Sequence, residues 1–127
     1  MLRRWQFSAL AVTTIGVGLA VHFHGHALGD VARDVIGDAL WSMMMAWWVG
    51  ALVPERTSLA RGAIALAISF TVELSQLIHT STLDALRGTT LGHLVLGSGF
   101  DLRDLFSYAC GVGVALLIER AISRRAR

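Results

Sequence analysis

The sequence predicts an all-α integral membrane bundle of four transmembrane helices, with a short interfacial or re-entrant segment between the third and the fourth. Three observations lead there. Of the 127 residues, 54% are hydrophobic and 16% charged, against roughly 25% charged in a soluble domain. A chain this small leaves much of its surface outside any core, and it has too few charges to cover that surface in water. The mean hydropathy of +0.60 agrees. Four apolar stretches have lengths near the roughly 20 residues that a helix needs to cross a bilayer. The arginines fall mainly on alternate sides of those stretches. These properties argue against a soluble enzyme, a nucleic-acid binder and a disordered tail, and the length allows one transmembrane domain over residues 1–127.

The first helix is expected over about residues 5–23, with only Gln6, Ser8, Thr13 and Thr14 as mild polar breaks. Arg3-Arg4, an apolar core and Gly25-His26-Ala27 resemble a signal peptide with a weak cleavage site. The apolar run is long for that role and a second span follows at once, so the helix is read as an uncleaved anchor. The second helix is expected over about 35–53, shortened by Asp38 and stopped by Pro54. The third is expected over about 58–79. The fourth, about 102–122, has only fourteen uncharged residues in a row, Leu105 to Ile118. Its ends must snorkel or thin the bilayer.

All 11 basic residues are Arg. Arg3, Arg4, Arg56, Arg61, Arg120, Arg124, Arg125 and Arg127 lie on one side of the spans. Arg33, Arg87 and Arg103 lie on the other, with Asp30, Asp34, Asp38, Asp84, Asp101 and Asp104. The positive-inside rule then puts both termini in the cytoplasm of a bacterial cell, with the chain in its inner membrane. The pI near 9.5 would suit a polyanion only if the arginines clustered on a soluble face. They do not, so no nucleic-acid partner is expected. A single cysteine, Cys110, excludes an internal disulfide and any multi-cysteine metal site; it is assigned to packing.

The segment from His79 to Arg103 is punctuated by Gly88, Gly92, Gly97 and Gly99. Ser81 to Arg87 reads as a short helical turn, and Thr90 to Leu96 as an apolar piece too short to span. Backbone at such depth must be covered by protein or line a wet cavity.

Ionisable residues inside the apolar stretches carry the functional signal, because a charge at the bilayer centre costs about 2.5–3.5 kcal/mol even on insertion scales. Eleven uncharged residues precede Glu73. Gln76 and Ser69 share its helical face. A third helix ending near Thr80 would put Glu73 roughly 10 Å below its end. Asp38 enters the second helix from the same side, and Asp104 the fourth, where Asp104, Tyr108 and Gly111 share one face. Arg87 is the nearest basic residue in the outer segment. The expected arrangement is a polar cluster of Asp38, Glu73, Gln76, Arg87, Asp104 and Tyr108 at the outer mouth. In it Glu73 pairs with Arg87, and Gln76 and Asp104 complete the hydrogen bonds. The alternative is a network that only fixes helix packing.

His22, His24 and His26 alternate near Asp30, a pattern that can ligate zinc or copper. An exposed polar loop with incidental histidines is the preferred reading, and neither a metal nor a cofactor is expected. Asp30, Asp34 and Asp38 stack on one face, where Arg33 or a bound cation would relieve their repulsion. Trp5 and Trp41 read as belt anchors at the inner and outer boundaries. Met43, Met44, Met45, Trp47 and Trp48 read as lipid-facing or core filling, and Gly111 and Gly113 as sites of close helix contact.

Glu73-Leu-Ser-Gln76, Asp84-Ala-Leu-Arg87 and Asp104-Leu-Phe-Ser-Tyr108-Ala-Cys-Gly111 resemble, in that order, the pattern of VanZ-like membrane proteins. Those carry Glu-x-x-Gln, a following Arg, then Asp, Asn and Gly; Tyr108 stands where they have Asn. Gly37-Asp38-Ala39-Leu40-Trp41, Glu73-Leu-Ser-Gln76-Leu, Leu83-Asp84-Ala-Leu-Arg87, Leu91-Gly92, Leu96-Gly97 and Gly99-Phe100 more closely resemble a bacterial family of small membrane proteins, domain of unknown function 2809. That resemblance covers about residues 30–118 and implies four helices and no assigned activity. VanZ is tied to resistance against teicoplanin-type glycopeptides, which implies the cell envelope. The leading functional expectation is a non-catalytic envelope protein with membrane lipid as partner, binding a lipid headgroup or lipid-linked cell-wall precursor at the outer mouth. The alternatives are an enzyme acting on such a lipid, with Glu73 as acid or base and Arg87 on phosphate, and a proton- or ion-coupled transport component. Oligomeric state is left open.

Overall fold

The computed structural model describes residues 1–97 and 99–126; Arg127, counted above among the basic residues, lies outside the described residues. Helix α1 spans Arg4–His24 and continues into a 3-10 turn, Gly25–Leu28. The side chain of Gln6 accepts the Arg3 N–H at 2.8 Å, satisfying one donor that the first turn leaves free. Gly29 then turns the chain at φ 82°, a left-handed conformation that favours glycine. Helix α2, Asp30–Leu52, begins five residues before the expected start. Its polar first turn stays helical because Arg33 bridges back to Asp30 at 3.3 Å. Apolarity marked where the helix enters lipid, not where it begins.

Helix α3, Ser58–Ser75, starts at Thr57, whose hydroxyl accepts from the Ala60 N–H. It ends four residues before the expected position. Past Ser75 the apolar pattern continues, but the hydrogen bonds shorten to i→i+3, from Leu77 to Leu74 and from Ile78 to Ser75. Two short helices follow, α4 at Ser81–Arg87 and α5 at Thr90–Leu96, each capped by a threonine hydroxyl, Thr80 and Thr89. These match the two pieces read from the sequence. At their junction Gly92 lies so close to the Leu86 carbonyl that a Cβ would collide with it. Helix α6, Leu102–Arg125, is capped by Asp101, which accepts the Arg103 N–H at 2.9 Å.

No strand occurs among the described residues, and α1 with its 3-10 extension, α2, α3 and α6 are each long and apolar enough to cross a membrane. The fold is an all-α membrane bundle. Four crossings bring both termini and the α2–α3 loop to one end, here the terminal end; the 3-10 turn, α4 and α5 lie at the far end.

Helix α2 is the hub, packing against α1, α3 and α6, while α3 also packs against α6. Lipid gives helices no hydrophobic reason to associate, so close packing must hold them. Phe7, Ala11, Ala46, Trp47, Ala65, Val112 and Ala115 form the buried centre. The Phe7 ring lies flush against Gly50, where a Cβ would sit 2.5 Å from a ring carbon. Gly111 lies against the Ala39 carbonyl with no room for a Cβ, and Ser42 fastens this crossing by donating to the Tyr108 carbonyl at 2.9 Å. Gly113, by contrast, meets nothing. Trp47 fills the core, one of its two expected places, and donates to Thr14 at 3.1 Å. Two placements differ from expectation. Trp41 turns inward against Tyr108, with ring centroids 5.8 Å apart, instead of anchoring in an outer belt. Cys110 is exposed on α6 and does not pack.

Candidate functional site

Glu73, in the last turn of α3, is fully buried, at 0% exposure. Its carboxylate is met from three directions. Tyr108 on α6 donates its hydroxyl to Oε2 at 2.8 Å, and the Asp101 backbone N–H donates to Oε1 at 2.8 Å. Gln76, one turn further along α3, approaches Oε2 with Nε2 at 3.5 Å. The structure therefore brings Glu73, Gln76 and Tyr108 together, while Asp104, expected to complete the hydrogen bonds, makes none to Glu73 among the described residues. The Asp101 amide has no side-chain signature, and sequence reading missed it. Because α3 ends at Ser75, Glu73 lies two residues, about 3 Å, from the end of regular helix rather than roughly 10 Å.

The expected ion pair between Glu73 and Arg87 does not form. Arg87, buried in α4, donates to the carbonyls of Ile78 and Ser75 at 2.8 and 2.9 Å, and to Asp84 Oδ1 at 3.3 Å. A helix C-terminus leaves carbonyls without intrahelical donors, and a guanidinium presents several donors in one plane. Arg87 thus caps α3 and straps the α4–α5 segment to it. The same segment is tied to α3 again where Gly97 (φ 68°) packs against the Gln76 amide, and a third time where the Asp101 N–H reaches Glu73.

Asp38 on α2 and Asp104 on α6 face each other with their carboxyls, near Glu73. Among the described residues no Arg or His lies within ion-pair distance of Asp38, Glu73 or Asp104. The nearby arginines are engaged at the rim. Arg33 bridges to Asp30 and donates to His26 Nδ1 at 2.8 Å. Arg103 grips Asp101 at 2.7 Å and holds its half-buried carboxyl below the usual carboxylate range.

These groups open onto a cavity of about 650 Å³ at the far end, walled by α1, α2, the α5 segment and the start of α6. Asp38, Trp41, Gln76, Asp104 and Tyr108 line it, among apolar residues such as Leu19, Val35 and Leu94. Two buried polar atoms of these lining residues have no hydrogen-bond partner, Gln76 Oε1 and Trp41 Nε1. Trp41 is thus a site residue that the belt reading hid; its signal was its place one turn after Asp38 on α2. The open acceptors lie on the cavity floor, while the two arginines of its lining, Arg33 and Arg103, are bound to Asp30 and Asp101 at the rim.

The three histidines do not gather. His22 and His24 end α1, His26 sits in the 3-10 turn with Arg33, and only His22 lines the cavity. Among the described residues no three His, Cys, Asp or Glu side chains group as a metal site.

A second polar centre, at the terminal end, was also missed. Arg61 and Glu119 form an ion pair between α3 and α6, at 3% and 6% exposure. Ser58 donates to Glu119 at 3.1 Å, Arg61 also donates to the carbonyls of Pro54 and Arg56, and its guanidinium carbon stands 5.0 Å from the Phe7 ring centre. None of the buried side-chain polar atoms there lacks a hydrogen-bond partner, so this pair reads as a structural lock.

No solved structure matches the chain. A family model described as "Protein of unknown function (DUF2809)" matches residues 27–112, which hold the whole far-end cluster from Asp38 to Tyr108, and the chain belongs to that family.

Proposed function

We propose that this membrane protein holds the polar head of an envelope amphiphile, a lipid or a lipid-linked cell-wall precursor, in its far-end cavity. On this reading it sits in the bacterial inner membrane with both termini cytoplasmic, so that the far end opens at the outer leaflet. The observation that carries the reading is the cavity itself. It has the volume of a ligand site, apolar walls beside lipid, and a polar floor of Asp38, Gln76 and Asp104. The likeness to VanZ-like proteins and the Arg distribution support an envelope setting.

A transport role needs a polar path across the bundle, and beyond Tyr108 the interior is filled by Phe7, Ala46, Trp47, Ala65, Val112 and Ala115. In an enzyme Glu73 would need a free oxygen, and both of its oxygens accept hydrogen bonds from within the protein. Asp38 and Asp104 are the carboxyls such an enzyme would have to use.

The test is native mass spectrometry of the protein purified in mild detergent. An amphiphile retained at one copy per chain is expected, and Leu94→Trp, which fills the cavity, should expel it. Retention unchanged by Leu94→Trp would refute the site. A C-terminal alkaline phosphatase fusion should be inactive and a C-terminal fluorescent fusion bright; the reverse would refute the orientation.

A further inference from the structure

We infer that the far-end cavity recognises a primary ammonium group, carried by the headgroup of a membrane amphiphile. This rests on the amphiphile-binding reading above and names the chemistry of its ligand. The facing carboxyls of Asp38 and Asp104 lack any cation within ion-pair distance among the described residues. Two such groups repel unless a proton or a cation stands between them. An acidic pair alone could be a wet surface, but a second observation points to a ligand. Gln76 is 4% exposed, it lines the same cavity, and its Oε1 accepts nothing. A buried carbonyl without a donor costs free energy until something donates to it.

Of the four groups left open three are acceptors, and the fourth, the Trp41 indole N–H, is a donor that an ammonium leaves to the rest of the headgroup. A primary ammonium carries three donors and no acceptor, which suits two carboxylates and an amide oxygen. The aromatic lining agrees. Trp41 and Tyr108 stand side by side on the cavity wall, and ring faces attract cations. An anionic group would find the opposite setting, since Arg33 and Arg103 are already held by Asp30 and Asp101. A quaternary ammonium would satisfy the charge and leave Gln76 Oε1 without a donor.

The experiment compares lipids of identical acyl chains on the whole protein by native mass spectrometry. The set is phosphatidylethanolamine, phosphatidylcholine, N-acetyl-phosphatidylethanolamine and phosphatidylglycerol. Phosphatidylethanolamine should be retained about tenfold or more over the others, the scale of a charge-assisted hydrogen bond. Asp38→Asn with Asp104→Asn should erase that preference. The lipid series on the unaltered protein needs no variant to fold. A parallel arm titrates free ethanolamine onto delipidated protein and reads its melting temperature. Preference for the amine lipid with no response to ethanolamine supports the inference as stated. A response to ethanolamine without preference among lipids overturns the lipid source and moves the ammonium to a soluble ligand. Retention of all four lipids alike, with no ethanolamine response, overturns ammonium recognition and leaves the amphiphile site standing. Retention of none overturns both.

Discussion

The two ends of this bundle bury carboxylates in opposite ways. At the terminal end Glu119 meets Arg61, Ser58 supports it, and Phe7 covers the guanidinium. At the far end Glu73 meets only neutral donors, and Asp38 and Asp104 meet each other. Desolvating a charge is costly, and the cost is offset only when its partners are complete. The terminal pair leaves no buried side-chain polar atom without a partner. The far end leaves two carboxyls, an amide oxygen and an indole N–H open beside a cavity. Fully matched charge is what a lock between helices requires, and unmatched acceptors are what a binding site holds in reserve. The difference can be tested by asking whether each carboxylate stabilises the fold.

The largest expected effect lies at the terminal end. Arg61→Met leaves Glu119 buried without a cation, and should cost about 3–5 kcal/mol of unfolding free energy in detergent. Adding Glu119→Leu should restore a large part of it, because two apolar side chains then replace a pair. Simple addition of the two single losses would show that the pair is not a unit.

Next comes Tyr108→Phe, which takes one of the short hydrogen bonds from Glu73. Glu73 keeps the Asp101 amide, so the expected loss is about 1.5–3 kcal/mol, smaller than at the terminal end. A loss equal to that of Arg61→Met would mean that Tyr108 is the sole support of Glu73, and the contrast between the ends would fade.

How far these two ends were legible in the sequence follows from what each depends on. The four spans could be read because length and apolarity alone decide whether a helix crosses lipid. The bounds of α4 and α5 could be read because a threonine stands before each and a glycine after it. Glu73, Gln76, Asp104 and Tyr108 could be brought together from helical registers. The role of Arg87 could not, since its strongest partners are backbone carbonyls of a helix that stops early. Counting charges searches for carboxylates and overlooks carbonyls. Arg61 and Glu119 lie 58 residues apart, each near a helix end where an arginine or glutamate ordinarily reaches water. Trp41 escaped because belts and cavities use the same residue type.

That correction yields a third, smaller test. Arg87→Gln should cost about 1–3 kcal/mol, through the carbonyls of Ser75 and Ile78 that lose their donors. Glu73→Gln should add to it with a coupling below about 0.5 kcal/mol, because the two side chains do not bond. Coupling of the size expected between Arg61 and Glu119 would restore the ion pair that the sequence suggested.

The smallest effect has the opposite sign and decides the comparison most directly. Asp38→Asn with Asp104→Asn removes two carboxyls that face each other and keeps their shape. If the far end holds its carboxyls for a ligand, the empty protein gains from losing them. The melting temperature of delipidated protein should stay level or rise, by the equivalent of up to about 1 kcal/mol, as when a site trades stability for function. The same neutralisation at the terminal end, Glu119→Gln, should lower it. A clear loss for the aspartate pair would mean that Asp38 and Asp104 are bound to one another through a shared proton as part of the fold, and that both ends of the bundle are locks.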